Sequence, residues 1–527
     1  MMRNFFSALL IFIAASCAPK AGNNTASASK DPITVDFLKQ HLSVIASPAM
    51  EGRNTPSAGL DRAADYIQQQ YKSWGLLAPQ SLNGYRQYYP LTKDSLLSAS
   101  FSLSGQPAVY GSDFVVQLSN NANANISSEG IVFAGYGITD KYYDDYKALD
   151  VAGKLVVIAL GEPVENKVFV ATNSQRGEWG FRGLAKKLAL AKQKGAAGVL
   201  LINPAQSTFD GKYVANSYVG SVQMPRPATA PSIPSLVISR QMLTKLFSVE
   251  EADKIFATAN LSGKYSSSKV FSSKSFNLSL NKIQKNQSAS NVVAMVEGSD
   301  KKDEYVVVSA HYDHLGIQDG KIYNGADDDG SGTVAVMAMA KAFADAKAAG
   351  KGPRRTIVFL NVSGEEKGLW GSEYYASHPA LPLEKTSANL NIDMIGRVDT
   401  ERKTADSLNY VYVVGHNKLS SNLSSYNVRA NASAGNLVLD YKYDDPNDQN
   451  RIYYRSDHYN FAKNGVPALF FYDGMLKGDY HKPTDNIEFI NWELYRKRAL
   501  LVYHTAWEIA NADEMVKRDI PLPPMSR

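Results

Sequence analysis

The chain of 527 residues contains a single cysteine, Cys17, so no disulfide can form within it and no metal site can draw on paired thiolates. Any metal must therefore be held by His, Asp and Glu. Charge of one sign is also scarce. The 56 basic and 51 acidic residues leave a formal net charge of +5, too weak over this length to mark a nucleic-acid binder. The one apolar run near the N-terminus is too short to span a bilayer, and there is no internal repeat and no long low-complexity run. What remains is an ordinary globular composition, 44% hydrophobic and 20% charged, in a chain long enough for two domains.

The N-terminus "MMRNFFSALLIFIAASCAPK" places Arg3 before a short apolar run and small residues up to Cys17, the pattern of a secretory signal. Ala14-Ala15-Ser16-Cys17 resembles a bacterial lipobox, with Ala14 where leucine is usual. The resemblance implies a signal over residues 1–17 and an exported lipoprotein held at the cell envelope through Cys17. An ordinary signal cleaved near Ala15 is the alternative. Residues 18–32, small and polar, suit a flexible tether.

Two helical patterns follow, "VDFLKQHLSVIAS" and "SAGLDRAADYIQQQYKSWGL", the second closed by Gly75. From about 100 to 290 the texture changes to short β-type runs such as "GKLVVIAL" and "PSLVIS", interrupted by one helix, "GLAKKLALAKQKGA", which reads as a smaller β-rich domain. From 291 onward strands and helices alternate, which predicts an α/β fold with a mainly parallel mixed sheet flanked by helices. Ligands of such sheets bind beyond the carboxyl ends of the strands.

Those strand ends carry the chemistry. "EYVVVSAHYDHLG" ends in His311 and Asp313, "TIVFLNVSGEE" in Glu365 and Glu366, and "NLNIDMIG" in Asp393. "NGADDDGSG" holds Asp327, Asp328 and Asp329 just before a helix, and "GDYHKPTDN" holds His481 and Asp485. Like charges gathered in one cleft are costly unless a cation compensates them. Imidazoles and carboxylates without thiolate suit zinc or a similar divalent ion, and two ions sharing a bridging carboxylate would use all of these groups.

The ordered set "HYDHLG", "GADDDGSG", "SGEEKGLWGSE", "NIDMIG", "RSDHYNFAKNGVP" and "YHKPTDN" resembles the co-catalytic di-zinc exopeptidases of the twenty-eighth metallopeptidase family. The segment near 105–285 resembles the protease-associated insert of exported members. The resemblance implies a zinc peptidase domain over 33–104 plus 286–512, an insert over 105–285 and a tail over 513–527. It implies two zinc ions bridged by Asp328, one also held by His311 and Asp393, the other by Glu366 and His481. Glu365 is then the general base, taking a proton from the attacking water and passing it to the leaving amine. Asp313 is expected to orient His311, and Asp485 to orient His481. Tyr480 matches a tyrosine that stabilises the oxyanion, while Arg455 and Asp457 of "RSDH" match positions near the substrate.

Asp327 and Asp329 read as capping or loop residues, and His314, His378, His416 and His458 as structural. The function implied is an exported aminopeptidase acting on peptides, with no nucleic-acid partner and no membrane contact beyond the lipid anchor. A carboxypeptidase or dipeptidase of the glutamate carboxypeptidase type is the alternative. A receptor-like protein without catalysis is more remote, because every expected ligand position is filled by a suitable residue.

Overall fold

The computed structural model describes residues 32–523 apart from 119–120, 181–182, 226–231, 261–270 and 407. The expected signal, its lipobox Cys17 and nearly all of the tether lie outside the described residues. No helix among the described residues is long and apolar enough to cross a membrane.

Thr34 caps the first helix, Val35–Ile45, by accepting from Phe37 N at 3.2 Å, and Ser57 caps the second, Ala58–Ser73, through Leu60 N. Gly75, at φ +73°, turns the chain after the second helix, as its place after the periodic residues leads one to expect.

The peptidase half of the sheet runs, from its edge, Val438–Asp440, Tyr410–Val414, Ala468–Tyr472, Thr386–Ile392, Lys301–His311, Arg355–Val362 and then Phe271–Val296. Four of these six neighbouring pairs are parallel, which matches the mainly parallel mixed sheet expected. Thr386–Ile392, Arg355–Val362 and Ala468–Tyr472 are buried at every position, because helices cover both faces. Alternation along Lys301–His311 shows the two layers. Val306 and Val308 enter the larger core beneath the helix Gly332–Ala348, while Val307 enters a smaller one with Val358 and Phe461. Two further cores sandwich the insert's strand Leu155–Ala159 in the same way.

The two halves share one sheet. Phe271–Val296 pairs with the insert's Ala124–Phe133 at one end and with the peptidase strand Arg355–Val362 at the other. Arg86–Leu103 follows it antiparallel from Arg86 opposite Val292 to Leu103 opposite Phe276. Position 285/286, where the sequence suggests a boundary, lies inside this strand.

Candidate metal centre

Four of the five expected ligands stand at a strand end or just before a helix, and His481 lies in the loop between the strand Ala468–Tyr472 and the turn Ile487–Phe489. His311 is the last residue of Lys301–His311, Asp393 follows Thr386–Ile392, and Glu365 and Glu366 follow Arg355–Val362. Asp328 sits in the irregular turn Ala326–Ser331 before the helix Gly332–Ala348. Parallel strands covered on both faces end together at one rim, and that rim gathers these side chains.

Two groups form around a shared Asp328: His311, Asp328 and Asp393, and His314, Asp328 and Glu366. His311 Nε2 lies 3.4 Å from Asp328 Oδ1 and 3.5 Å from Asp393 Oδ1. His481 Nε2 lies 3.2 Å from Asp328 Oδ2 and 3.1 Å from Glu366 Oε2. The five expected ligands therefore converge. His314, expected to be structural, joins them: its Nδ1 is 2.9 Å from Glu366 Oε1.

Protonation follows this crowding. Burial opposes the charge on His311, yet Asp393, Asp313 and Asp328 drive its pKa well above the usual imidazole range. His481 is raised to about 10 by Asp328 and Glu366 against the effect of burial. Burial acts to raise Asp328 as well, but His314, His311 and His481 hold it well below the usual carboxylate range. Burial pushes Glu365 the other way, well above that range, helped by Asp393, Glu366 and Asp457 and opposed by His311.

The donor set fits a divalent cation. Asp328 Oδ2, Glu366 Oε1 and His314 Nδ1 are buried without a hydrogen-bond partner, and His314 Nδ1 lies 2.9 Å from Glu366 Oε1 and 3.7 Å from Asp328 Oδ2. Imidazoles and carboxylates also compete for protons with such a cation, which links metal uptake to proton release.

The supporting residues differ from expectation in three places. Asp313 reaches His311 chiefly by its backbone carbonyl, 3.1 Å from Nδ1, with its carboxylate at 3.6 Å. The Asp313 carboxylate instead accepts Thr55 Oγ1 at 3.0 Å and Glu365 N at 3.2 Å, and Thr55 Oγ1 accepts Gly364 N at 3.1 Å. Asp485 does not orient His481; its carboxylate accepts the amides of Asp327 and Asp328, with Asp328 N at 3.0 Å, and so holds the bridging loop. Asp457 does not contact the cleft. It is fully buried, and that burial pushes its carboxyl up to about 7. Asp327 and Asp329 act within the loop as expected: Asp329 accepts from Gly332 N at 2.8 Å and Met394 N at 3.0 Å, and Asp327 from Gly396 N at 2.7 Å.

Arg53 was missed altogether. Fully buried, it donates to the carbonyls of Tyr312, Ile45, Asn324 and Gly325 at 2.7–2.9 Å, tying the segment after the first helix to both metal-bearing loops. Its only signal in the sequence is membership of "SPAMEGRNTP", which looks like the family's opening segment.

The cleft above the cluster is walled by Asp328, Glu365 and Asp393, by Ile452, Phe470 and Leu476, and by Arg455, Tyr472 and Tyr480. Arg455 Nη2 donates to Tyr480 Oη at 3.0 Å, and the Tyr480 ring stacks on His481 at 3.9 Å. A larger cavity, lined by Lys418, Tyr443, Asp444 and Tyr453, lies across the turn Ile452–Tyr454 and includes neither metal group.

The model of Peptidase family M28 matches residues 291–506, and that of the PA domain matches residues 113–246. A probable leucine aminopeptidase of Arthroderma otae is 30% identical over 238 residues, 44% of this chain and 61% of that protein. A probable zinc metalloprotease of Leptosphaeria maculans is 27% identical over 263 residues, 43% of this chain and 58% of that protein. The chain thus spans about three-fifths of the length of these relatives. In fold it is similar to an aminopeptidase from Aneurinibacillus sp. strain AM-1, at a TM-score of 0.53 and 19% identity over 93% of this chain and 98% of that one.

Proposed function

We propose that the chain is a zinc-dependent aminopeptidase of peptidase family M28, with a PA domain inserted in it, that releases N-terminal residues from peptides; the matches to both family models support the reading. One observation carries the reading: two imidazole–carboxylate groups share Asp328, with Glu365 beside them in the cleft wall. The name of the Arthroderma otae relative, a probable leucine aminopeptidase, supports the same activity. His311, Asp328 and Asp393 would hold one zinc ion, and Asp328, Glu366 and His481 a second. Ions bound there supply Lewis acidity, which polarises the scissile carbonyl and lowers the pKa of water from about 15.7 toward 7.

The chain's own residues move the protons. Glu365, in the cleft wall beside both groups, takes one from the attacking water and returns it to the leaving amine. Tyr480 Oη accepts from Arg455, so its own O–H is free to donate to the oxyanion that develops on the carbonyl. Burial, with the nearby charge of Asp328, raises the Tyr480 pKa and keeps that proton in place. The acids of the wall attract the ammonium of a free N-terminus. Arg455 is the one cation among the described lining residues and is already engaged, which disfavours capture of a C-terminal carboxylate.

The test compares a free-amine substrate with its N-acetylated twin, which an aminopeptidase rejects. Glu365→Gln should retain zinc and lose at least about a hundredfold in kcat; unchanged kcat removes Glu365 from the role of base. We place the protein outside the cytoplasm, anchored through Cys17, on the N-terminal pattern alone. Cys17→Ser should move it from the membrane fraction to the soluble one, and a variant that stays membrane-bound contradicts the anchor.

A further inference from the structure

We propose that His314 is a fourth protein ligand, through Nδ1, of the metal position held by Asp328, Glu366 and His481. The inference rests on the metallopeptidase reading above and adds an asymmetry to it.

The distances around that position decide the matter. A zinc ion with bonds of about 2.0–2.2 Å in a tetrahedron sets its ligand atoms about 3.3–3.6 Å apart. His314 Nδ1 lies 2.9 Å from Glu366 Oε1 and 3.7 Å from Asp328 Oδ2. His481 Nε2 lies 3.2 Å and 3.1 Å from oxygens of the same two carboxylates. His314 meets Glu366 through Oε1 and His481 meets it through Oε2, while both face Asp328 Oδ2, so the two imidazoles converge on the same pair of carboxylates at separations close to those tetrahedral edges. The two rings approach edge to face, with centroids 5.9 Å apart and planes at 71°, so their nitrogens can converge without the rings colliding.

A hydrogen bond does not explain the contact. At 2.9 Å His314 Nδ1 is close enough to Glu366 Oε1, yet both atoms lack hydrogen-bond geometry toward any partner, although the His314 side chain is fully buried. A buried nitrogen near a carboxylate but misaligned with it is placed for a third body between them.

The fold builds this placement deliberately. The His314 ring lies against Gly325, where a Cβ would come within 2.6 Å of the ring carbons Cγ and Cδ2. Gly325 holds φ +57°, and Arg53 accepts the His314 amide at 3.2 Å while donating to the Gly325 carbonyl. Arg53 thus fixes the histidine and the glycine that makes room for it.

The consequence is functional. Asp328, Glu366, His481 and His314 would close one position with four protein groups, as in structural zinc sites. His311, Asp328 and Asp393 leave the other with three, as in catalytic sites that keep a place for water or substrate. The closed position retains its ion, and the open one exchanges.

Zinc release from the full-length protein, measured by mass spectrometry of bound metal against chelators of graded strength, tests this. The wild type should lose its two ions in separate steps. In His314→Ala, checked for folding by circular dichroism, the tighter step should weaken by at least about tenfold and approach the first. A folded His314→Ala protein that releases zinc as the wild type does overturns the inference and leaves the metallopeptidase reading intact. Wild type that binds no zinc sinks that reading instead. X-ray absorption of wild type loaded with one equivalent of zinc decides independently of any variant: two imidazoles on the ion are expected, and one overturns the proposal.

Discussion

Arg53→Met tests whether the metal-bearing loops are held by a residue remote from them in sequence. Arg53 donates four hydrogen bonds, to Tyr312 O, Ile45 O and Asn324 O at 2.7 Å each and to Gly325 O at 2.9 Å. Methionine keeps the volume and removes every donor. Gly325 O retains Gly330 N at 3.2 Å, but the other three carbonyls lose the donor that Arg53 supplies. An unsatisfied buried carbonyl costs about 1–3 kcal/mol, so the gross loss is about 3–9 kcal/mol. Two further effects act in opposite directions. The variant no longer buries a guanidinium, whose pKa burial lowers, but Asp485, Asp313, Asp328 and Asp329 lose its compensating charge. We expect a net loss of about 4 kcal/mol, and at about 2–4 °C per kcal/mol a Tm lower by roughly 10 °C. The assay is a thermal melt followed by circular dichroism, with zinc content measured on the same samples. Arg53→Lys keeps the charge without the planar fork and should fall between the two. A Met variant that melts within about 2 °C of the wild type and holds its full zinc complement refutes the argument.

Two further outcomes are expected. Tyr480→Phe removes the free O–H while keeping the ring on His481, so kcat should fall by about a hundredfold with KM little changed; a loss confined to KM contradicts the oxyanion role. In the insert, Lys187 on the helix Leu184–Gln193 is fully buried, and that burial lowers its pKa from 10.5 to about 7 against the pull of Asp145 and Glu162. Between those values the unfolded chain binds the Lys187 proton and the folded chain does not, so this group's contribution to stability rises with pH from about 7 to 10.5, by up to about 5 kcal/mol, and is constant below. Amide exchange of that helix, corrected for intrinsic rate, should show the slope in wild type and not in Lys187→Met; a slope that survives the substitution assigns it elsewhere.

The legible parts of this fold are those where burial imposes a pattern. Strands covered on both faces must be apolar throughout, so "TIVFL" and "ALFFY" declare themselves, and the polar residues that end them mark the rim. The shared ribbon is harder to read. Phe271–Val296 carries Ser, Lys and Asn along a half exposed to solvent, and its continuity depends on pairing with Arg86–Leu103 nearly two hundred residues earlier in the chain, which no local pattern encodes.

The same division runs through the site. Residues whose side chains hold charge against charge must be His, Asp or Glu, so their types betray them even without coordinates, and the five expected ligands meet. Residues that hold the loops work through backbone groups, and a carbonyl or amide looks the same on any residue. That is why Asp485 serves the amides of Asp327 and Asp328 rather than His481, and why Arg53 left no trace beyond its segment. His314 falls between the two classes. Its type is right for a ligand, but only the packing of its ring against Gly325 turns it toward Glu366, so its role depends on a glycine eleven positions further along the chain.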